Sequence, residues 1–196
     1  MTITYDLSPA AAQLARLVDG VDDYQLAAAT PCAGWPVAVL LNHLLALTVA
    51  FTAAAHKDSS LASRPEPGGS LPVDWRCQLH ERLDALVTAW RAAQAWEGET
   101  EAGGVTMAAE VMGVAALDEL VLHGWDLARA TGQPFQADPA SVQASLGFAA
   151  SMSEPDQQAG REGLYGPVVA IPPSASDLDQ LLGFAGRDPH WTPSQG

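Results

Sequence analysis

Apolar residues recur every three or four positions from the N-terminus to about residue 153, and this period is typical of amphipathic helices. Proline, serine or aspartate marks several of the helix starts, and glycine marks several of the ends. The pattern predicts five long helices, from Ser8 to about Gly20, Pro36 to about His56, about Asp74 to about Trp96, about Thr106 to Ala130, and Asp138 to about Ser153. A short helix is predicted over Asp177–Phe184. Long stretches of strand-type alternation are absent, so the sequence favours an all-α four-helix bundle with a short extra helix and an irregular C-terminal tail.

The segments between the predicted helices are rich in residues that break helices. Residues 30–36 hold two prolines and a glycine, and residues 58–72 are rich in Ser, Pro and Gly, which predicts an exposed loop. The acidic run at 97–104 is expected to break the third helix and form solvated turns. After about residue 154 the helical period fades, and residues 163–173 are expected to be extended.

Glu119 and His123 lie four residues apart in the fourth predicted helix, so their side chains share one face. Apart from these two and Asp126, that face is apolar and carries Met112, Ala115, Ala116 and Leu122. His43 lies on an equally apolar face of the second predicted helix. A core-facing stripe holds an ionisable group only where the group is paired, neutralised or bound to a metal. If the two faces meet, two imidazoles and one carboxylate converge, which is enough to hold a divalent metal with one position open.

Two interpretations of this trio are open. Either His43 and His123 are core histidines hydrogen-bonded to Glu119 without a metal, or all three are metal ligands. Three ligand-type groups on two apolar faces favour the metal. Zinc is the first expectation, with nickel and iron as alternatives, because the ligand types alone do not choose among them.

Two further residues of the same helix are candidates for a supporting role. Asp126 lies one turn beyond His123, so it either orients a metal-bound imidazole or pairs with Arg129 or a backbone amide. Arg129 is also a candidate for meeting an anionic substrate. Cys32 is expected to stabilise its loop rather than to react, since no basic residue is adjacent in sequence.

Composition narrows the possible partners and setting. The 196 residues carry a net charge of −14, which repels phosphate backbones and anionic lipid, so nucleic acid and membrane partners are not expected. Two cysteines cannot form a disulfide framework, and a cytoplasmic location is the simpler expectation. No secretory signal and no transmembrane helix are predicted.

Four stretches, in order along the chain, carry a family resemblance: Thr30-Pro-Cys-Ala-Gly-Trp35, Leu40-Leu-Asn-His-Leu44, Glu119-Leu-Val-Leu-His-Gly-Trp-Asp-Leu-Ala-Arg-Ala-Thr-Gly132 and Gly186-Arg-Asp-Pro-His-Trp191. With them the chain resembles the DinB/YfiT-like superfamily of metal-binding four-helix bundles, in the actinobacterial branch related to mycothiol-dependent maleylpyruvate isomerase. The resemblance implies a metal triad at the positions of His43, Glu119 and His123. It also implies zinc and the thiol cosubstrate mycothiol. Dimers are common in the superfamily, so the resemblance implies a homodimer as well. The isomerase relatives carry a longer C-terminal region than this chain.

The expected organisation is a single DinB-like domain over residues 1–196, with the tail from about residue 154 packed on it. The expected function is a metal-dependent transferase or isomerase that uses mycothiol on an electrophilic small molecule, with no catalytic residue identified beyond the metal ligands. The alternative is a non-catalytic metal-binding or stress-response bundle. A cavity of a few hundred Å³ beside the trio would favour the enzyme, and a closed shell of four ligands would favour the module.

Overall fold

Helices make up most of the described part of the protein, and a small hairpin lies between two of them. The computed structural model describes residues 4–61, 70–161 and 163–193. The helices are α1 (Ser8–Asp19), α2 (Val37–Ala55), α3 (Trp75–Trp90), α4 (Ala109–Thr131), α5 (Pro139–Ser151), α6 (Gln158–Arg161) and α7 (Asp177–Phe184). The strands are β1 (Glu99–Ala102) and β2 (Val105–Ala108), paired antiparallel.

Four long helices form the bundle. Helix α1 packs against α3 and α4, and α2 packs against the same two helices, so the order around the bundle is α1, α3, α2, α4. Leucines from all four helices, together with Trp90, fill the interior. Helix α5 packs on the outside of α4, and α7 packs on α5. The predicted all-α four-helix bundle with an added helix and an irregular tail is confirmed.

The helix ends follow from local chemistry. Asp138 caps α5 by accepting a hydrogen bond from the backbone N–H of Ser141, with Pro139 in the first turn. Gly132 ends α4 in the left-handed conformation at φ 71°, which glycine adopts without strain. Helix α1 begins at Ser8 as predicted, with Leu7 in the cap position, and Asp6 accepts hydrogen bonds from the backbone N–H and the hydroxyl of Ser8.

The segment between α3 and α4 differs from the sequence prediction. Instead of solvated turns, residues 99–108 form a hairpin, so α4 begins three residues later than predicted, and α3 ends at Trp90 before a short 3₁₀ turn over Ala93–Trp96. Gly103 and Gly104, at φ 60° and 80°, form a two-residue turn that suits a hairpin. Thr100 is buried and its hydroxyl donates to the Ala54 carbonyl at 2.6 Å, which anchors the hairpin to the end of α2.

The tail folds back over the bundle. Arg161 donates to the carbonyls of Gly166 and Phe184, which joins the start of the tail to the end of α7. The Val169 N–H donates to the Gly183 carbonyl at 2.9 Å. The segment 163–173, predicted to be extended, begins with a turn in which the Leu164 and Tyr165 N–H groups donate to the Arg161 carbonyl. The predicted loop at 58–72 lies largely outside the described residues.

Helix α2 is long and apolar enough to span a membrane by length and composition alone, although the sequence pattern predicted no such helix. Its apolar window has a mean hydropathy of 2.0, and 56% of it is buried inside the bundle. The central helix of a folded bundle meets the same criterion, so this property is weak evidence for a membrane span.

Alanine substitution of two helical glycines is expected to change the free energy of unfolding in opposite directions. A methyl group on Gly113 of α4 would come within 2.4 Å of the Trp96 ring, whereas one on Gly147 of α5 would meet no atom within 4 Å. Gly113→Ala should therefore lower the free energy of unfolding by about 1–3 kcal/mol through overpacking. Gly147→Ala should raise it by about 0.5–1 kcal/mol, because alanine loses less backbone entropy in a helix. Urea unfolding of both variants measures this, and equal effects would contradict the packing described for α4.

Candidate functional site

The bundle brings His43, Glu119 and His123 together. His123 Nε2 lies 2.9 Å from Glu119 Oε2, and His43 Nε2 lies 3.5 Å from the same oxygen. One ligand atom from each side chain lies within 4.8 Å of the others. The two imidazole rings meet edge to face with their centroids 5.0 Å apart. The two helix faces therefore meet as the sequence pattern predicted.

A second carboxylate holds the far side of the His123 ring. Asp126 Oδ2 lies 2.9 Å from His123 Nδ1, and Asp126 is completely buried. An ionised carboxylate can only accept hydrogen bonds, so the contact places a proton on Nδ1 and turns Nε2 toward Glu119. Asp126 thus orients His123, one of the two roles that the sequence left open.

Arg187 from the tail completes this arrangement. Its Nη2 lies 3.0 Å from Asp126 Oδ2, and its Nε donates to Oδ1 of the same carboxylate at 3.4 Å. Nη2 also contacts Cys32 Sγ at 3.4 Å, and Nη1 donates to the Ala185 carbonyl. The guanidinium is buried along with its partner, so its charge balances that of Asp126 inside the protein.

The charges of the site stabilise one another. Burial alone would raise the pKa of Glu119, but hydrogen bonds from His123 and His43 outweigh it and hold the pKa well below its usual range. Burial alone would raise the pKa of Asp126, yet Arg187 and His123 lower it to about 2. Burial alone would lower the pKa of His123, but its contacts with Asp126 and Cys32 raise it well above the ordinary value. His123 lies between two carboxylates, and their negative charges favour its protonated form.

The loop before α2 adds Cys32 and Trp35 to the site. The Cys32 thiol donates to Asp126 Oδ2 at 3.1 Å and lies 4.0 Å from His123 Nδ1. The Trp35 ring packs edge-on against His43, with centroids 4.9 Å apart, and lies nearly parallel to His123 at 6.2 Å. Cys32, which was expected to stabilise its loop, contacts the buried ion pair of Asp126 and Arg187, and neither partner is near it in sequence.

A cavity of about 350 Å³ opens beside the trio. One side is formed by His43, Glu119 and His123 with residues of the loop before α2, and the other side comes from the tail. The full lining consists of Pro31, Cys32, Ala33, Trp35, His43, Glu119, His123, Gly163, Leu164, Gly166, Pro167, Ala185, Gly186 and Arg187. The volume is in the range of small-molecule sites, so the trio faces a space that a ligand can enter.

The tail is also attached to the bundle through Asp118, the residue that precedes Glu119 in α4. The Tyr165 hydroxyl donates to Asp118 Oδ2 at 2.5 Å. Burial raises the pKa of Asp118 to about 7, against the opposing effect of the Tyr165 hydrogen bond. The other carboxylate oxygen, Oδ1, has no hydrogen-bond partner in the part of the chain that the structure describes.

Arg129, a candidate for substrate binding, lies elsewhere. It donates to the Trp191 carbonyl, and its guanidinium lies 5.9 Å from the Trp125 ring centroid, so it attaches the end of the tail to α4. Arg129 does not pair with Asp126, and it is not among the residues that line the cavity. Arg187 and Tyr165 were not predicted as site residues from the sequence. Arg187 lies within the Gly186–Trp191 motif, and that motif is the one signal that could have identified it.

Fold and site together define a DinB-like helical bundle with a His/Glu/His trio at a cavity. The sequence profile of the mycothiol maleylpyruvate isomerase N-terminal domain family matches residues 7–128, and the chain belongs to this family.

Similar proteins were found among both sequences and solved structures. Uncharacterized proteins from two strains of Mycobacterium tuberculosis are each 29% identical over 188 residues, covering 88% of this chain and 91% of theirs. The crystal structure of the mycothiol-dependent maleylpyruvate isomerase superposes with a TM-score of 0.61 at 20% identity, over 87% of this chain and 77% of that one. A histidine-to-alanine mutant of that enzyme superposes with a TM-score of 0.62 at 19% identity over the same shares. At this identity the structural likeness establishes the fold.

The buried pair of Asp126 and Arg187 generates a stability prediction. Asp126→Asn leaves the Arg187 charge buried without its partner, so it should lower the free energy of unfolding of the metal-free protein by about 3–5 kcal/mol at pH 7. The matched control is Asp19→Asn, which breaks an exposed 2.8 Å contact with His80 and should cost about 0–1 kcal/mol.

The sign of the pH dependence follows from the lowered pKa of Asp126. Its contribution is fully present above the unfolded value of 3.8 and is lost as the pH falls toward about 2, so the gap between wild type and Asp126→Asn should narrow over that interval. Denaturant unfolding at several pH values measures it, and equal costs for the Asp126 and Asp19 variants would contradict the buried pair.

Proposed function

We propose that the protein is a metal-dependent enzyme that uses mycothiol for transfer to, or isomerisation of, an electrophilic small molecule. The observation that carries this proposal is the convergence of two imidazole nitrogens and one carboxylate oxygen at the wall of a cavity. The family match supports the thiol, because mycothiol is named in the family to which residues 7–128 belong. The mycothiol-dependent isomerase shares the fold.

The donor set fits a divalent metal held by His43, Glu119 and His123. Ligand atoms at tetrahedral bonds of about 2.0 Å lie roughly 3.3 Å apart, and the separations of 2.9 and 3.5 Å bracket that value. Asp126 already holds Nδ1 of His123, as carboxylates commonly do for metal-bound imidazoles. The other ring nitrogen of His123, Nε2, faces Glu119 and would bind the metal. We propose zinc, with nickel and iron as alternatives.

The residues of the chain prepare the site for a thiol and a second substrate. A bound metal would hold a thiol as its thiolate near neutral pH, which makes the sulfur nucleophilic. Asp126 and Arg187 fix the orientation of His123, and Glu119 supplies the negative charge of the trio. Trp35 packs against both imidazoles and limits the access of water from that side. The cavity leaves room for a substrate next to the thiol.

The alternative, a metal-binding bundle without turnover, predicts a closed shell of four ligands. Asp126 and Cys32 are further ligand-type side chains beside the trio, but both approach His123 from the Nδ1 side, opposite the nitrogen that faces Glu119. An open position next to a cavity of about 350 Å³ favours the enzyme. The acidic chain and its two unpaired cysteines support a cytoplasmic setting, where such thiols are kept reduced.

The metal assignment makes a direct prediction. His43→Ala and His123→Ala should each lower metal affinity by more than about 100-fold, since loss of a ligand should exceed the loss of an outer partner. Metal content is measured by elemental analysis after gel filtration, with circular dichroism to confirm that the helices remain. His56→Ala is the matched control, because His56 is exposed at the end of α2 and lies outside the cavity lining. Full retention of metal in both variants would exclude this site.

Activity is tested by the consumption of mycothiol with a panel of electrophiles. The metal-loaded protein and its His56→Ala control should accelerate conjugation or isomerisation of at least one panel member. Metal-depleted protein and His43→Ala should not, because the thiolate is then not stabilised. A fully loaded protein that accelerates no reaction in the panel would favour the non-catalytic bundle instead.

A further inference from the structure

Half of the cavity is formed by a part of the chain that lies outside the family match. The match ends at residue 128, whereas one wall of the cavity consists of residues 163–167, here called the strap, together with residues 185–187. The trio and its facing loop come from the matched part. The wall that faces the trio is therefore built by a part of the chain that the family profile does not cover.

The strap is fixed in place at several points. Tyr165 turns away from the cavity, and its hydroxyl donates to the buried Asp118. Its ring packs edge-on against Phe148 of α5 and lies 5.3 Å from the Arg161 guanidinium. Arg161 in turn donates to the Gly166 carbonyl. A wall anchored to α4 and α5 in this way keeps a defined distance from the trio.

Two glycines allow the strap to lie close to the end of the tail. Gly186 has φ 80°, and a methyl group there would come within 2.7 Å of the Gly166 carbonyl carbon. The two backbones are thus in direct contact, which glycine permits. This contact aligns the strap with residues 185–187 into one continuous wall.

The wall is chemically different from the opposite side. Leu164, Pro167 and Ala185 contribute apolar surface, while the donors of the Arg187 guanidinium are directed to Asp126, Cys32 and the Ala185 carbonyl. The opposite side carries the imidazoles and the carboxylate. A molecule in the cavity meets the imidazoles and the carboxylate on one flank, next to the apolar side chains of Pro31, Ala33 and Trp35, and the apolar surface of the strap on the other.

We propose that the strap is the specificity-determining element of the site, and that Leu164 sets the size of the electrophile that can reach the trio. The substrate class is a small electrophile with an apolar flank that packs on the strap. A cavity of about 350 Å³ holds about twelve waters' share of liquid volume and is near the lower end of the range for ligand pockets. This inference rests on the proposed function for the identity of the reaction, but the restriction on size follows from the strap alone.

Cys32 provides a probe of access that needs neither turnover nor bound metal. It lines the cavity, whereas Cys77 is exposed on α3 and serves as an internal reference. Methyl and benzyl methanethiosulfonate react with a thiol to give a mixed disulfide, releasing methanesulfinate, while the thiol proton passes to solvent. Peptide mass spectrometry then gives the rate at Cys32 relative to Cys77 for each reagent.

In the wild-type protein, the relative rate at Cys32 should be much lower for the benzyl than for the methyl reagent. Leu164→Ala should raise the benzyl rate by about tenfold or more, by analogy with the effect of a methylene group in a pocket. Leu164→Trp should lower both rates. Tyr165→Phe keeps the ring but removes the hydrogen bond to Asp118, so it should weaken the size selection without changing a lining side chain. Val168→Ala, on an exposed residue outside the lining, should change nothing.

The same relative rates in all these variants, including no reaction at Cys32 in any of them, would overturn the proposal. If Leu164→Ala loses the size selection while Tyr165→Phe retains it, Leu164 remains the determinant of size. The hydrogen bond of Tyr165 is then not needed to hold the strap in place. If Leu164 controls the size selection at Cys32 but the protein binds no metal, the role of the strap is supported and the proposed function is refuted. The failure of one proposal can therefore be distinguished from the failure of the other.

Discussion

The arrangement of the site depends on the buried negative charge of Asp126, which needs partners inside the protein. The carboxylate is completely buried, and burying a charge without a partner is costly. Three groups meet this need: His123 on the same helix, Arg187 from the tail and the Cys32 thiol from the loop before α2. Each group is thereby held in one orientation. The orientation of His123, and hence the direction of its Nε2 toward Glu119, follows from this arrangement.

The same ionic cluster connects parts of the chain that are distant in sequence. Arg187 is 61 residues from Asp126, and Cys32 is 94 residues from it. Their convergence joins the loop before α2, the middle of α4 and the end of the tail around one cavity. The hydrogen bond from Tyr165 to Asp118 adds a second attachment of the tail, one residue before Glu119. The tail therefore builds the site as well as covering the bundle.

The bundle and the trio were predictable because local patterns determine them. A period of 3.6 residues predicts the helices, and ionisable residues in apolar stripes identify His43, Glu119 and His123. The hairpin at 99–108 was missed because its four-residue strands are too short to show alternation, and its burial depends on the end of α2. The role of Arg187 was also missed, because its contact with Asp126 depends on how the tail folds back over the bundle. Arg129, closer in sequence to Asp126, instead binds the Trp191 carbonyl.

The proposed site is a metal held by the trio with a position open to a thiol. X-ray absorption at the metal edge tests it most directly, on metal-loaded protein before and after the addition of mycothiol. The expected first shell consists of nitrogen and oxygen atoms, and mycothiol should add a sulfur atom at about 2.3 Å if the metal is zinc. A shell of nitrogen and oxygen that mycothiol leaves unchanged would contradict it.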